Sequence, residues 1–197
     1  PLNQTRRARE LTGPEVAGRA APGTRWEYSD PGFAHLALAF WHITGQEVAA
    51  FMQARVIDPI GIESLTWDTM GLDDGRTGVH TMPFSGVHVT ARELARFGYL
   101  MLRGGRWAGR ELVPAWWLDL CTRTSQRMNP RYGLTWWVNT AGTLWSMAPR
   151  DAFSALGYNM NMCAVIPSLD LVVVRTGLGP TDSAENITPP LFAAIIE

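Results

Sequence analysis

Residues 152–176 read AFSALGYNMNMCAVIPSLDLVVVRT. Three short runs rich in apolar and β-branched residues, 152–157, 161–166 and 171–176, alternate in this stretch with turn formers. The turn at 167–170 contains Pro, Ser and Asp, and the segments between the runs are too short to hold a crossover helix. The pattern therefore predicts an antiparallel meander, with its strongest strand in the Leu-Val-Val-Val run of the last segment.

Helical periodicity dominates the chain before this meander. The spacing of apolar residues predicts one helix over Gly32–Thr44, ending at Gly45, and a second over Gln46–Ile57. The dipeptide Asp58-Pro59 ends the second helix, because the residue before a proline avoids the α region. The interval 61–89 contains many turn formers and little periodicity, which predicts a long irregular segment.

Two further helices are predicted before the strands begin. Thr90 and Glu93 have the spacing of a capping box at the start of an amphipathic segment, and Pro114 suits the first turn of a fourth helix. A β-rich run at 132–139 precedes the meander, and the apolar segment Leu191–Ile196 predicts a terminal helix on the sheet.

The order of these elements predicts an α+β protein with helices packed on an antiparallel sheet. The length suits one domain over residues 1–197. Within it we expect a mainly helical part at 20–130, then antiparallel strands and a C-terminal helix at 131–197.

Composition excludes several classes of function. The net charge is −1 and there is no Lys/Arg-rich run, so nucleic acid and anionic membranes are poor partners. No apolar stretch is long enough to span a bilayer, so no membrane span is expected. The four histidines show no metal-binding spacing, and neither a metal nor another cofactor is expected. Cys121 and Cys163 are either two buried thiols or one disulfide.

Every one of the 17 Lys+Arg residues is an arginine. Because arginine does not deprotonate near neutral pH, a mechanism that needs a lysine base or a Schiff base cannot run on this chain alone.

Three segments, in order and spacing, resemble the serine β-lactamase, D-Ala-D-Ala carboxypeptidase and esterase family. They are PGTRWEYSD at 22–30, GVHVTARELARF at 86–97, and ALGY with the strands that follow it at 155–174. The resemblance spans about residues 20–177 and implies a β-lactamase/transpeptidase-like fold and a serine hydrolase acting on small ester, amide or peptide substrates.

The resemblance implies two catalytic positions in the first segment. Tyr28 occupies the place of the family's tyrosine, which works with a lysine as the base system. A phenol has a pKa of about 10 and becomes a base only when nearby cations lower that value. Asp30 stands where the family more often has Asn; it either orients a lysine or the substrate amide, or caps the helix that follows.

The third segment implies the oxyanion strand and a substrate-binding edge. Ala155, Leu156 and Gly157 stand where the family has Lys-Thr-Gly or His-x-Gly, so the usual cation or imidazole is lost. That loss weakens recognition of a substrate carboxylate, as in β-lactams. The backbone N–H of Tyr158 is the expected oxyanion donor and needs no particular side chain.

The family's Ser-x-x-Lys motif has no counterpart in this sequence, since no serine is followed three residues later by lysine. The chain alone is therefore expected to be inactive. Either it is the C-terminal portion of a hydrolase, completed by an N-terminal segment or a second copy, or it is a non-catalytic peptidoglycan- or glycan-binding module with a degenerate site. Family analogy alone suggests a periplasmic or secreted location.

Overall fold

A computed structural model of the chain describes residues 20–21, 23–71, 79–177, 192 and 194–195. The chain divides into two compact units. The first comprises residues 1–59 and 63–89, and the second comprises residues 60–62 and 90–197. Each is considered by itself below.

Helix α1, Asp30–Thr44, is the longest element of the first unit. It begins after Ser29, whose Oγ accepts a hydrogen bond from the Gly32 N–H at 3.1 Å, and a proline occupies the first turn. It ends at Gly45, which adopts the left-handed conformation (φ 69°) and donates its N–H to the Trp41 carbonyl. These ends confirm the predicted helix.

Helix α2, Val48–Met52, continues directly into a π-helical turn at Gln53–Ile57, so the predicted second helix exists but changes its hydrogen-bond pattern halfway. It packs against α1 through an edge-to-face contact between Phe40 and Phe51, whose ring centroids are 5.2 Å apart.

The interval expected to be irregular contains four short strands in its described parts, 61–71 and 79–89. Strand β1, Thr66–Trp67, pairs with β4, Val87–His88; β2, Thr69–Gly71, pairs with β3, Val79–Thr81, and both pairs are antiparallel. The prediction of an irregular segment was therefore wrong for these residues. Two- and three-residue strands are too short to produce a recognisable alternation, and their partners lie up to 22 positions away along the chain, as Thr66 and His88 do.

The second unit begins with helix α3, Ala91–Leu102, and here the predicted capping box is confirmed. Thr90 Oγ1 accepts from the Glu93 N–H, and the Glu93 carboxylate accepts from the Thr90 N–H. A short hairpin of β5, Arg106–Trp107, and β6, Arg110–Glu111, follows. Helix α4, Ala115–Cys121, starts directly after Pro114.

Among the described residues, four antiparallel strands form the sheet of the second unit, in the order β10–β9–β8–β7. They are β7, Trp137–Val138; β8, Phe153–Leu156; β9, Met162–Ile166; and β10, Leu171–Arg175. The predicted α+β class and the antiparallel meander are confirmed, although β7 covers only the last part of the predicted run at 132–139.

The two faces of this sheet are covered differently. On one face α3 packs closely, because a methyl group built on Gly98 would lie 2.6 Å from Val172 Cγ1 and 2.7 Å from Cys163 Sγ. The other face carries an apolar cluster that includes Trp145 and Phe192, whose ring centroids are 4.7 Å apart. All five residues of β9 are buried, as expected for a strand covered on both faces.

The loop between β7 and β8 folds around one buried amide. Asn139 Nδ2 lies 2.9–3.0 Å from the carbonyl oxygens of Trp145, Ala148 and Pro149, and its two N–H groups are shared among these three acceptors. Its Oδ1 accepts from the N–H groups of Leu144 and Trp145 at 3.1 and 2.9 Å. Contacts between one side-chain amide and five backbone groups therefore take the place of regular structure in this loop.

Two remaining expectations concern cysteine pairing and the C-terminus. Cys121 and Cys163 are both buried free thiols, so the disulfide alternative is excluded. The predicted helix at Leu191–Ile196 lies largely outside the described residues, of which Phe192, Ala194 and Ile195 are helical. No helix among the described residues has the length and apolar character needed to cross a bilayer.

Candidate active site

The tyrosine segment lies immediately before α1. Ser29, and not Asp30, caps this helix, so the interpretation of Asp30 as the cap was wrong. Asp30 is instead the first helical residue and is exposed, where its carboxylate faces the positive end of the helix dipole. Its other suggested role, orienting a lysine or a substrate amide, stays a prediction.

Tyr28 has 45% of its surface exposed and contacts Phe33, with ring centroids 5.7 Å apart. Partial burial of the ring, followed by the negative charge of Asp30, raises the pKa of the Tyr28 phenol. At neutral pH the hydroxyl is therefore protonated and suited to donate a hydrogen bond. For Tyr28 to act as a base, a nearby positive charge would have to lower the pKa of its phenol.

The predicted oxyanion strand corresponds to β8 and the residue that follows it. Ala155 pairs with Cys163 and is exposed, whereas Leu156 pairs with Met162 and packs against the apolar cluster on the sheet. The Leu156 side chain therefore belongs to the core, and any contact it makes with substrate is through its backbone. Strand β7 pairs only with the first half of β8.

Gly157 has extended backbone (φ −117°, ψ 176°), a conformation open to any residue. A methyl group built there would have only ordinary contacts, 3.6 Å to Asn161 O and 3.7 Å to Asn161 Cβ. Neither backbone conformation nor packing among the described residues requires glycine at this position. Because Gly157 has no side chain, it leaves an exposed, unobstructed stretch of backbone after β8.

A tight turn at Tyr158–Met160 connects β8 to β9 and is closed by several hydrogen bonds. The Gly157 N–H donates to Asn161 O at 2.7 Å, and Asn161 Nδ2 donates to Tyr158 O at 2.8 Å. Asn161 Oδ1 accepts from the Gly177 N–H at 2.8 Å. The turn is therefore tied both to itself and to the chain after β10.

Arg175 supports the same turn from β10. Its Nη1 donates to Asn159 O at 2.9 Å, and Asn159 adopts the left-handed conformation (φ 56°). The carbonyls of Tyr158 and Asn159 are thus occupied, whereas the Tyr158 N–H donates to no acceptor among the described residues. The Tyr158 side chain is 85% exposed, so only its backbone is held in place.

Sequence reasoning did not identify Asn161 or Arg175 as part of the site. Asn161 was taken only as the start of a strand, and Arg175 lies 16 positions from the carbonyl that it contacts. A polar residue at the end of a short turn is the signal that would have pointed to Asn161. For Arg175 no local signal exists, because its contact depends on the strand register.

Neither cysteine is suited to act as an alternative nucleophile. Burial raises the pKa of the Cys163 thiol to about 12, and burial also raises the pKa of the Cys121 thiol. Both thiols are therefore protonated and inaccessible at neutral pH. Ser154 is likewise buried, and its Oγ donates to the Cys163 carbonyl at 3.0 Å.

A second polar cluster, in the first unit, was not anticipated. The Glu47 carboxylate contacts His80 Nδ1 at 2.9 Å and accepts from the Thr81 N–H at 2.9 Å, while Trp41 packs edge-on against the buried imidazole. The cluster joins α2 to β3 and needs no ligand to explain it. Within the described ranges, His, Cys, Asp and Glu side chains form no group of three or more that could hold a metal ion.

Comparison with solved structures supports the same fold. The chain resembles a protein assigned as a 6-aminohexanoate-dimer hydrolase from Bacillus anthracis (TM-score 0.72, 22% identity, 90% of this chain and 45% of that one). It also resembles a β-lactamase from Mycobacterium bovis (0.69, 22%, 90% and 65%) and a penicillin-binding protein from Bacillus halodurans (0.62, 17%, 92% and 59%). At these identities the likeness concerns the fold.

The sequence comparisons agree. An uncharacterized protein of Alkalihalophilus pseudofirmus is 31% identical over 98 residues, which is 45% of this chain and 29% of that protein. The chain thus spans less than two thirds of the length of each of these relatives. The family model described as "Beta-lactamase" matches residues 6–186, which is most of the chain and includes both the tyrosine segment and the predicted oxyanion strand. The chain therefore belongs to the β-lactamase-related serine hydrolase family.

Proposed function

We propose that this chain supplies the tyrosine and oxyanion parts of an acyl-transfer centre for small ester, amide or peptide substrates, with the attacking hydroxyl provided by residues beyond it. Tyr28 and the Tyr158 N–H are the groups we assign to the reaction, and Gly157 is the surface on which the substrate carbonyl lies. The proposed chemistry requires an activated serine hydroxyl as the nucleophile. This sequence contains no Ser-x-x-Lys motif that could supply it.

The observation that carries the proposal is the turn after β8. Its carbonyls are bound by Asn161 and Arg175, while the Tyr158 N–H is left without an acceptor in the described part of the chain. An oxyanion donor must be held rigidly before the reaction, because reorganisation during the reaction would consume the stabilisation that it provides. A backbone N–H in a braced turn, next to an exposed glycine, meets that requirement.

The charge of the site favours neutral substrates. The family's cation or imidazole in the strand motif is replaced by Ala155, and Asp30 places a negative charge near Tyr28. A substrate carboxylate would gain no ion pair at either position. Esters, amides and peptide bonds need only the oxyanion donor and a proton donor for the leaving group, which a protonated Tyr28 phenol can supply.

The first test uses the isolated 197-residue chain with nitrophenyl esters, nitrocefin and a fluorophosphonate serine probe. We expect neither turnover nor labelling. Appreciable hydrolysis that Tyr28→Phe abolishes would show that the chain has its own nucleophile and would contradict this part of the proposal.

The second test uses a complete gene product containing these residues. Tyr28→Phe should lower kcat/KM by about 100-fold or more, as loss of a proton donor does. Gly157→Ala should also lower kcat/KM, because its methyl group would stand on the surface assigned to the substrate carbonyl and keep that carbonyl away from the Tyr158 N–H. The melting temperature should stay unchanged, because Gly157 has room for a methyl group. Tyr99→Phe is the matched control, since Tyr99 is an exposed tyrosine outside the proposed site. Equal effects of Tyr28→Phe and Tyr99→Phe would refute the assignment.

One observation favours the alternative of a non-catalytic glycan- or peptidoglycan-binding module. Trp116 is 68% exposed and lies beside the exposed Trp117, whereas Trp136 and Trp145 are buried. The two exposed rings meet edge to face at 75°, so they do not form one flat platform. Binding of peptidoglycan fragments that is lost in Trp116→Ala, together with no serine-probe labelling of a complete gene product, would favour the module.

A further inference from the structure

The turn between β8 and β9 is held by a third strand, β10. Arg175 is the last residue of β10 and pairs with Met162, the first residue of β9. Its Nη1 donates to Asn159 O at 2.9 Å. Two residues later, the Gly177 N–H donates to Asn161 Oδ1 at 2.8 Å. Both bonds come from the end of β10, so a segment outside the β8–β9 hairpin fixes the turn.

The peptide group that carries the Tyr158 N–H lies between two peptide groups that hydrogen bonds hold. On one side, the Gly157 N–H donates to Asn161 O at 2.7 Å. On the other side, Tyr158 O accepts from the Asn161 N–H at 3.2 Å and from Asn161 Nδ2 at 2.8 Å. Because a peptide group is planar, the direction of its N–H follows from the torsion angles on either side of it. The Tyr158 N–H therefore keeps its direction only while the whole turn keeps its shape.

The residue of this turn with the least favourable backbone conformation is Asn159. It is left-handed (φ 56°, ψ 27°), a conformation that is unfavourable for residues other than glycine, although asparagine tolerates it better than most. Such a conformation persists where the surrounding structure holds it. Arg175 binds the Asn159 carbonyl, so the arginine acts at the position where the turn would otherwise relax.

An arginine suits this position for two reasons. A hydrogen bond from a charged donor is roughly twice as strong as one between neutral groups. The guanidinium is planar and stays charged near neutral pH, so its bond does not depend on titration. Arg175 is also half-buried, which limits the competition from water for the Asn159 carbonyl.

We infer that Arg175 is a positioning residue for the proposed acyl transfer, and for the role of the Tyr158 N–H this inference rests on the proposed function. Arg175 acts through the Asn159 carbonyl and keeps the Tyr158 N–H directed to the place where the substrate oxyanion forms. The bond from Gly177 to Asn161 is a second tie from the same segment. The reaction thus depends on a side chain of β10 that acts without touching the substrate.

The expected effect is on kcat and much less on KM. An oxyanion donor has to lie about 2.7–3.1 Å from the oxyanion, and a misplacement of about 1 Å can lower the rate by about 100-fold. A contact that strengthens in the transition state contributes to kcat and little to KM. Without Arg175 the backbone bonds of Gly157 and Tyr158 still limit the displacement, so we expect kcat to fall by about 10- to 100-fold.

The first experiment measures hydrolysis of a neutral ester by a complete gene product that contains these residues. Arg175→Met keeps a long side chain without an N–H donor and should lower kcat by about 10- to 100-fold, with KM changed by less than about threefold. Arg175→Lys keeps a charged donor and should be at least about threefold more active than Arg175→Met. Arg127→Met is the control, because Arg127 is an exposed arginine of the same unit, and it should change neither parameter.

Three results of this experiment would overturn the inference. They are an unchanged kcat in Arg175→Met, equal losses in Arg175→Met and Arg175→Lys, and a loss confined to KM. The last is the result expected of an arginine that binds the substrate directly.

The second experiment needs no turnover and uses the 197-residue chain. Nitrogen-15 NMR relaxation should give the Tyr158 amide an order parameter of about 0.85 in the parent and in Arg127→Met, falling toward about 0.6 in Arg175→Met. The amides of β9 should stay ordered and show that the variant is folded. An unchanged order parameter for Tyr158 in folded Arg175→Met would contradict the positioning role.

Asn161→Ala is the second variant, in case Arg175→Met does not fold. It removes the bond to Gly177 and leaves both backbone bonds of the turn in place. The Tyr158 amide should again lose order, and an unchanged order parameter would overturn the inference.

The inference and the proposed function fail in different ways. If Arg175→Met loosens the turn while the complete enzyme keeps its kcat, the Tyr158 N–H is not the oxyanion donor, and the proposed function falls together with the inference. If hydrolysis depends on Tyr28 while the turn stays ordered in Arg175→Met, the function stands and only the role of Arg175 is refuted.

Discussion

Replacement of Asn139 by alanine should destabilise the second unit more than any exposed polar substitution. The change removes the two amide N–H donors that three carbonyls share and leaves the N–H groups of Leu144 and Trp145 without their acceptor. Each orphaned buried donor costs about 1–3 kcal/mol, so a total loss of roughly 3–5 kcal/mol is expected. For a chain of this size that corresponds to a fall of about 6–20 °C in the melting temperature.

The assay is urea and thermal unfolding followed by tryptophan fluorescence, since Trp145 is buried beside this loop. Asn129→Ala is the matched control, because Asn129 Oδ1 makes one exposed hydrogen bond, to the Arg131 N–H at 3.1 Å, and its loss should cost less than about 1 kcal/mol. For Asn139→Asp the destabilisation should shrink as the pH falls, because a protonated carboxyl can donate to one of the facing carbonyls. Equal stability losses for Asn139→Ala and Asn129→Ala would refute the assignment of Asn139 as the centre of the loop.

Three further predictions concern packing and ionisation. Gly98→Ala should cost about 1–3 kcal/mol of unfolding free energy by forcing α3 away from the sheet, whereas Gly71→Ala, with open space around it, should be nearly neutral. Because burial raises the pKa of Cys163 to about 12 from 9.0, the folded chain keeps this proton where the unfolded chain releases it. Stability should therefore fall as the pH rises above about 9, by up to about 1.4 kcal/mol per pH unit, and Cys163→Ala should remove that part of the slope in a pH series. Glu47→Gln should lower stability by about 1–3 kcal/mol, and a double-mutant cycle with His80→Gln should show coupling; additive effects would mean that the 2.9 Å contact contributes nothing.

Elements whose signals lie close together in the sequence were predictable. The capping box of Thr90 and Glu93 and the left-handed Gly45 depend on hydrogen bonds within one helical turn. The strands of 152–176 were likewise readable, because alternation and turn formers set both their length and their antiparallel direction.

Features whose partners are distant in the sequence were not predictable. Glu47 meets Thr81 from 34 positions away, and Arg175 meets Asn159 across the sheet from 16 positions away. Nothing local distinguishes these side chains from solvated ones. The same applies to Asn139, which resembles an ordinary turn residue until the loop closes around it.

At the candidate site the sequence alone determined the family, the two motif positions and the lack of a Ser-x-x-Lys, because motifs and residue types are properties of order along the chain. Only the tertiary structure decided that Ser29 caps α1 in place of Asp30 and that Leu156 turns into the core. It also showed that the Tyr158 N–H, in a turn held by other hydrogen bonds, donates to no acceptor among the described residues. Burial and hydrogen-bond partners depend on which segments meet in space. For that reason a residue's role could be predicted from the sequence, but its exposure and its hydrogen-bond partners could not.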